Sequence, residues 1–149
     1  MEKGLSMIKI VLDTKPLIKL FAGEEGWKEV KEIILSAEIG KIEAGICTIT
    51  LTEIYYKYLQ EKRLDLAKMR TEQLKYAIYL KKYKIDEEVA VMAGEFKGKY
   101  SIPIADALIA ACAYIEKAII VSDDIDFRKI NEIEVLTEKE AYTMIRESI

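Results

Sequence analysis

The chain has 149 residues, about half of them apolar, a net charge of −3 and no histidine. That length suits one domain with a buried core, and the apolar runs fall far short of the roughly 18 residues a membrane helix needs. Without histidine there is no Ser-His-Asp or Cys-His catalysis, no imidazole acid–base chemistry and no histidine-containing zinc site.

Carboxylates are therefore the most abundant chemical tool, and hard cations are their natural partners. The acidic balance gives no global attraction to a polyanion, so any such partner must be held by a local basic patch or through a metal. Cys47 and Cys112 both sit in apolar runs and read as inert core thiols. The charged residues are mostly Glu and Lys, a bias that resembles heat-adapted, intracellular proteins. Met1 to Ser6 lacks the apolar stretch of a signal peptide. With Met7 as an alternative start, those residues would be a dispensable tail, and the expected location is the cytoplasm.

In chain order, Ile8 to Leu12 reads as a buried strand that ends in Asp13-Thr14. Lys15-Pro16 marks a helix start that runs to about Phe21, and Gly23 to Gly26 make a turn. Trp27 to Ile39 has apolar residues at helical spacing. Ala44 to Thr48 is a second strand, followed by Thr50-Leu51-Thr52-Glu53 and a helix to about Glu61. Asp65 to about Tyr83 reads as one helix, with Ala67, Leu74 and Ile78 on one face and Tyr76, Tyr79 and Tyr83 on another. Asp86 caps the next helix, which stops at Gly98.

Ser101 to Ile115 reads as a helix apolar on nearly every face, hence buried all round, with Asp106 in its first turn. Ala118 to Val121 is a third strand, and Ser-Asp-Asp-Ile-Asp-Phe follows it. Glu134 to Leu136 offers a fourth strand, and Thr137-Glu138-Lys139-Glu140 opens the last helix with a capping box. Short apolar strands alternating with helices argue for an α/β fold with a parallel sheet and helices on both faces. Loops leaving the strands, and helix starts, then gather at the carboxyl edge of the sheet, where such folds bind ligands.

That placement brings Asp13, Glu53, Asp106 and Asp124, with Asp123 and Asp126, to one edge from four chain segments. Each has a structural explanation of its own. Asp13 suits a helix N-cap, and Glu53 suits a capping box with Thr50. Asp106 suits the helix dipole, and the Asp123-Asp124-Asp126 run suits a solvated turn. Their conjunction points further, because clustered carboxylates stay partly protonated unless a cation neutralises them. Such a cluster is a magnesium or manganese site in prospect.

Four motifs, in this order along nearly the whole chain, carry a family resemblance: Ile10 to Thr14, Thr50 to Ile54, Ile102 to Ala110 and Ile120 to Phe127. With them the chain resembles the PIN domain family, in particular the VapC-type toxin ribonucleases of prokaryotic toxin–antitoxin pairs. The resemblance implies a single PIN-like domain over residues 1–149, three-layered, with four to five parallel strands. It implies a metal-dependent ribonuclease whose metal-binding, catalytic acids are Asp13, Glu53, Asp106 and Asp124. The cofactor would be Mg2+ or Mn2+, acidifying an attacking water and clamping phosphate oxygens. Asp126 would be an auxiliary fifth acid, beside the auxiliary positions Thr14, Lys15 and Ser122. Ser122 stands where the family usually has a threonine. Lys15 departs from the family pattern of a small hydroxyl residue, and would either reach a phosphate or weaken metal binding.

The resemblance also implies a homodimer and a small antitoxin partner, and the short apolar runs lead us to expect no membrane. For RNA contact the basic candidates are Lys15 and Lys19, then Lys81, Lys82 and Lys84, then Lys97 and Lys99. A solvated face is the simpler account of all but Lys15. Two other readings stay open: a catalytically altered PIN-like binding module for RNA or protein, and an aspartyl-phosphate protein with Asp13 as acceptor.

Overall fold

The computed structural model describes residues 7–148, so the expected tail Met1 to Ser6 lies outside the described residues. Five strands form one all-parallel sheet: β1 (Lys9–Leu12), β2 (Glu43–Cys47), β3 (Leu80–Tyr83), β4 (Ile119–Val121) and β5 (Val135–Leu136). Their spatial order is β3-β2-β1-β4-β5. The helices are α1 (Thr14–Ala22), α2 (Trp27–Glu38), α3 (Ile49–Gln60), α4 (Leu64–Tyr76), α5 (Glu87–Tyr100), α6 (Ile104–Glu116) and α7 (Glu138–Glu147). The expected α/β architecture forms, with the sheet at the upper end of the expected strand count.

Side chains alternate across a strand, so a central strand covered on both faces must be apolar at every position. Ile10, Leu12, Ile46 and Val121 enter one core with Leu17, Ile33, Ile54 and Ile145. Val11, Cys47 and Ile120 enter the other with Phe96, Ala110 and Phe127. Both thiols are free and buried in this second core, as expected of inert core cysteines.

One element differs from the expectation. The helix read from Asp65 to Tyr83 stops at Tyr76, and Leu80 to Tyr83 form β3, paired with β2 from Ala44↔Leu80 to Cys47↔Tyr83. Ile78 is 96 % exposed in the intervening turn, so it shares no face with Leu74, and Tyr76, Tyr79 and Tyr83 form no helical stripe. Local periodicity loses here to the open edge of β2, whose backbone groups need partners. The sheet also makes room for the new strand. At Gly45 a Cβ would come within 2.3 Å of Tyr83 Cε2, so the Tyr83 ring lies where a side chain at position 45 would stand.

Two boundaries move as well. α5 runs through Gly98 to Tyr100, and Ser101 ends it in the left-handed conformation. α6 begins at Ile104 rather than Ser101, with Pro103 at its N-cap. Nor is α6 buried all round: Ala107, Ile109, Ala110, Ala111, Cys112 and Ala113 are buried, but Ile104 and Tyr114 reach solvent. Its run of small residues lets α5 and the sheet approach closely, which holds the first turn of α6 firmly at the carboxyl edge.

Candidate active site: a carboxylate cleft at the carboxyl edge

β1, β2 and β4 end on the same side of the sheet because they are parallel, and the acids follow from there. Asp13 is the N-cap of α1, its Oδ1 accepting from the Thr14 amide at 2.7 Å. Its Oδ2 accepts from Ser122 Oγ, also at 2.7 Å, so both oxygens are engaged in a nearly closed environment. Burial pushes the Asp13 carboxyl up to about 6, against the lowering effect of the Ser122 and Thr14 hydrogen bonds. The charges of Glu53 and Asp124 add to the rise.

Glu53 lies in α3, whose N-cap is Thr48, so the expected Thr50–Glu53 capping box does not form. Instead the Thr14 hydroxyl donates to Glu53 Oε1. A hydroxyl has one proton, so in the contact between Thr14 and buried Thr50, 3.0 Å between oxygens, Thr50 is the donor. The Thr50-Thr14-Glu53 chain fixes the glutamate from α1.

Asp106 stands in the first turn of α6, half-buried. Desolvation, then the charges of Asp13, Asp124, Glu53 and Asp126, push it up to about 7. Asp124 caps a short 3-10 helix, Ile125–Lys129, by accepting from the Asp126 amide at 2.9 Å. The Asp124 amide donates in turn to Ser122 Oγ at 2.9 Å. Ser122, fully buried, thus ties Asp13 to Asp124 with one hydroxyl.

Asp13, Glu53, Asp106 and Asp124 line one cleft of about 240 Å³, together with Thr14, Lys15, Ile18, Tyr56, Lys57 and Gln60. Carboxylate oxygens of Asp106, Asp124 and Asp126 lie within 4.8 Å of one another, the span of a coordination sphere. The donor set is all oxygen and densely anionic, which fits a hard divalent cation. Asp126, expected as an auxiliary acid, is the one that completes this closest group. Lys15 stands at the rim, largely exposed, its ammonium 3.8 Å from Asp124 Oδ2.

Lys19, which flanks the site in α1 and for which a solvated face is the simpler expectation, is turned to Asp123 and Glu138. Four of the other five basic candidates are also engaged, while Lys84 is exposed. Lys81 pairs with Glu43 and Lys99 with Glu132, while Lys82 and Lys97 donate to backbone carbonyls. The tyrosines of α3 separate: Tyr58 is buried, Tyr55 half-buried, and only Tyr56 is well exposed. Tyr56, Lys57 and Gln60 were not singled out from the sequence as cleft residues. Their spacing of three, four and seven from Glu53 puts them on the same helical face and was the available signal.

Residues 10–133 match the PIN domain family. The chain belongs to the PIN domain family. No curated protein sequence matches this PIN chain. Among solved structures it is similar to a DNA-bound VapBC from Salmonella typhimurium, at 19 % identity and a TM-score of 0.70, over 89 % of this chain and 99 % of that one. It is similar to VapBC2 from Rickettsia felis bound to a promoter DNA fragment, at 18 % identity and a TM-score of 0.69, over 87 % and 98 % of the two chains. A toxin–antitoxin complex from Klebsiella pneumoniae aligns at 22 % identity and a TM-score of 0.63, over 87 % and 97 %. At such identities the likeness is one of PIN fold.

Proposed function

We propose that the cleft hydrolyses RNA phosphodiester bonds with a divalent cation, Mg2+ or Mn2+, held by Asp106, Asp124 and Asp126 beside Asp13 and Glu53. The observation that carries this reading is the convergence of Asp106, Asp124 and Asp126 within 4.8 Å at a cleft lined by the other two acids. A cation bound there supplies acidification of water and neutralisation of phosphate charge. The chain's own residues do the rest. Asp13, engaged at both oxygens, and Glu53, fixed by Thr14, are held in single positions, so little reorganisation accompanies the reaction. Lys15 at the rim is placed to meet a phosphate oxygen, at a surface ion pair that costs little to exchange.

Substituting Asp106→Asn tests the assignment. We expect manganese-dependent cleavage of an RNA oligonucleotide to fall at least about 100-fold, since an acid that positions the metal is lost. Undiminished cleavage would refute it. An aspartyl-phosphate role for Asp13 is disfavoured by its burial and by the engagement of both its oxygens.

The toxin–antitoxin complexes of similar fold support a further reading: a VapC-type toxin, acting as a single PIN-like domain in the cytoplasm as a homodimer, with a small antitoxin partner. Exposed apolar residues of α3 and α4, Leu59, Leu64 and Met69, offer surface for such contacts. Light scattering of the pure protein tests the dimer. Among the described residues no helix is long and apolar enough to cross a membrane.

A further inference from the structure

Lys19 and Glu138 meet away from the cleft, yet beside the loop that delivers Asp124. Lys19 Nζ lies 2.6 Å from Asp123 Oδ2, 3.1 Å from Glu138 Oε1 and 2.9 Å from Glu138 Oε2. The Glu138 amide, at the start of α7, donates to Asp123 Oδ1 at 3.4 Å. Asp123 is thereby held at both oxygens, from α1 and from α7. Glu138 is 2 % exposed, and the fold is shaped around it: a Cβ on Gly26, which sits at φ +99°, would come 2.4 Å from Glu138 Oε1.

The position of this junction matters because of what it adjoins. Ser122 holds the Asp124 amide from the inside, and Asp123 is the residue between them. Immediately after Asp124 the 3-10 helix begins at Ile125, which is 74 % exposed. The residues up to Asp124 are therefore fastened on both flanks, and Asp123 supplies the outer fastening. Without the Lys19 ammonium, the Asp123 and Glu138 carboxylates would face each other as like charges and drive the loop from α7. A cation at the cleft needs its ligands held to within a fraction of an ångström, and partners behind the ligands set that precision. Glu138 also lies beyond residues 10–133, the part of the chain that matches the family, so half of the fastening comes from the C-terminal helix.

We propose that Lys19 and Glu138 are positioning residues for Asp124, clamping the Ser122–Asp124 loop through Asp123 so that the cleft is set for a divalent cation. The inference rests on the cation reading above. Manganese titrated into the metal-free protein by calorimetry tests it, with metal-free melting curves recorded alongside. Wild-type protein comes first; if it binds no manganese, the cation reading itself fails and the clamp fails with it.

If wild type binds, Lys19→Met should weaken manganese binding about 10-fold, the lower end of what lost outer partners cost a metal site. Lys19→Arg, which keeps the charge and the reach, should restore most of it. A Lys19→Met protein that melts lower yet binds manganese as tightly as wild type would overturn the proposal and leave a structural staple. Should Lys19→Met not fold, Glu138→Gln decides. It preserves shape while weakening the hold on Lys19, and wild-type manganese affinity in that variant would equally overturn the clamp.

Discussion

Ser122 shows how much a single hydroxyl carries in this site. It is fully buried, donates to Asp13 Oδ2 and accepts from the Asp124 amide, so it joins two acids that come from opposite ends of the chain. Its bond to Asp13 favours the ionised carboxylate and opposes the desolvation that raises it. Ser122→Ala should therefore push the Asp13 carboxyl above about 6 and strand a buried acceptor. The acid limb of the pH–rate profile for the proposed RNA cleavage should move upward, and stability should fall by about 1–3 kcal/mol. Ser122→Thr keeps the hydroxyl and should keep the wild-type profile. A profile unmoved in Ser122→Ala would show that Asp13 does not titrate in the reaction.

Among the elements, β3 is the one that its own residues disguise. Leu74 and Ile78, then Tyr76, Tyr79 and Tyr83, repeat at helical spacing, and nothing local opposes a helix to Tyr83. What decides is the edge of β2, a demand from elsewhere in the fold. β1, β2 and β4 were legible because unbroken apolar runs bounded by polar residues leave little else to be. Their shared direction is enough to place Asp13, Glu53, Asp106 and Asp124 at one edge, and all four line the cleft. The roles of Thr50 and Lys19 were not legible, because their partners, Thr14, Asp123 and Glu138, lie far off in sequence.

The fit of β3 on β2 depends on Gly45, where a Cβ would meet the Tyr83 ring at 2.3 Å and the Lys81 carbonyl oxygen at 2.9 Å. Gly45→Ala should destabilise by about 1–3 kcal/mol through overpacking in chemical denaturation. In the double variant with Tyr83→Ala the ring is gone and the alanine should cost less. Additive losses would mean that the Lys81 backbone, not the ring, sets the cost.

Over the whole molecule, the absence of histidine makes the acid cluster visible in solution. Asp13 and Asp106 are raised to about 6 and about 7, into a range where no histidine titrates to obscure them. Between the ordinary carboxylate range and these values, the folded chain holds protons that the unfolded chain has lost. Stability of the metal-free protein should therefore fall as pH rises from about 4.5 to 7.5. The carboxylates lowered by Lys or Arg partners, such as Asp123 and Glu43, act in the opposite sense, but their contribution is lost only below that window. Asp106 is only half-buried, so solvent screening trims its share of the loss to about 1 kcal/mol, or about 2–4 °C in a chain of this size. Asp106→Asn removes the largest of these shifts, and the metal-free variant should melt above wild type at pH 7.5 while matching it at pH 4.5. Saturating manganese should reverse the wild-type trend, because a cation held as proposed takes only the ionised cluster, so that its stabilisation grows with pH. Melting curves at both pH values, with and without manganese, check the argument. A metal-free wild type as stable at pH 7.5 as at pH 4.5 would mean that the acids do not strain one another, and a manganese gain that ignored pH would mean that the ion binds elsewhere.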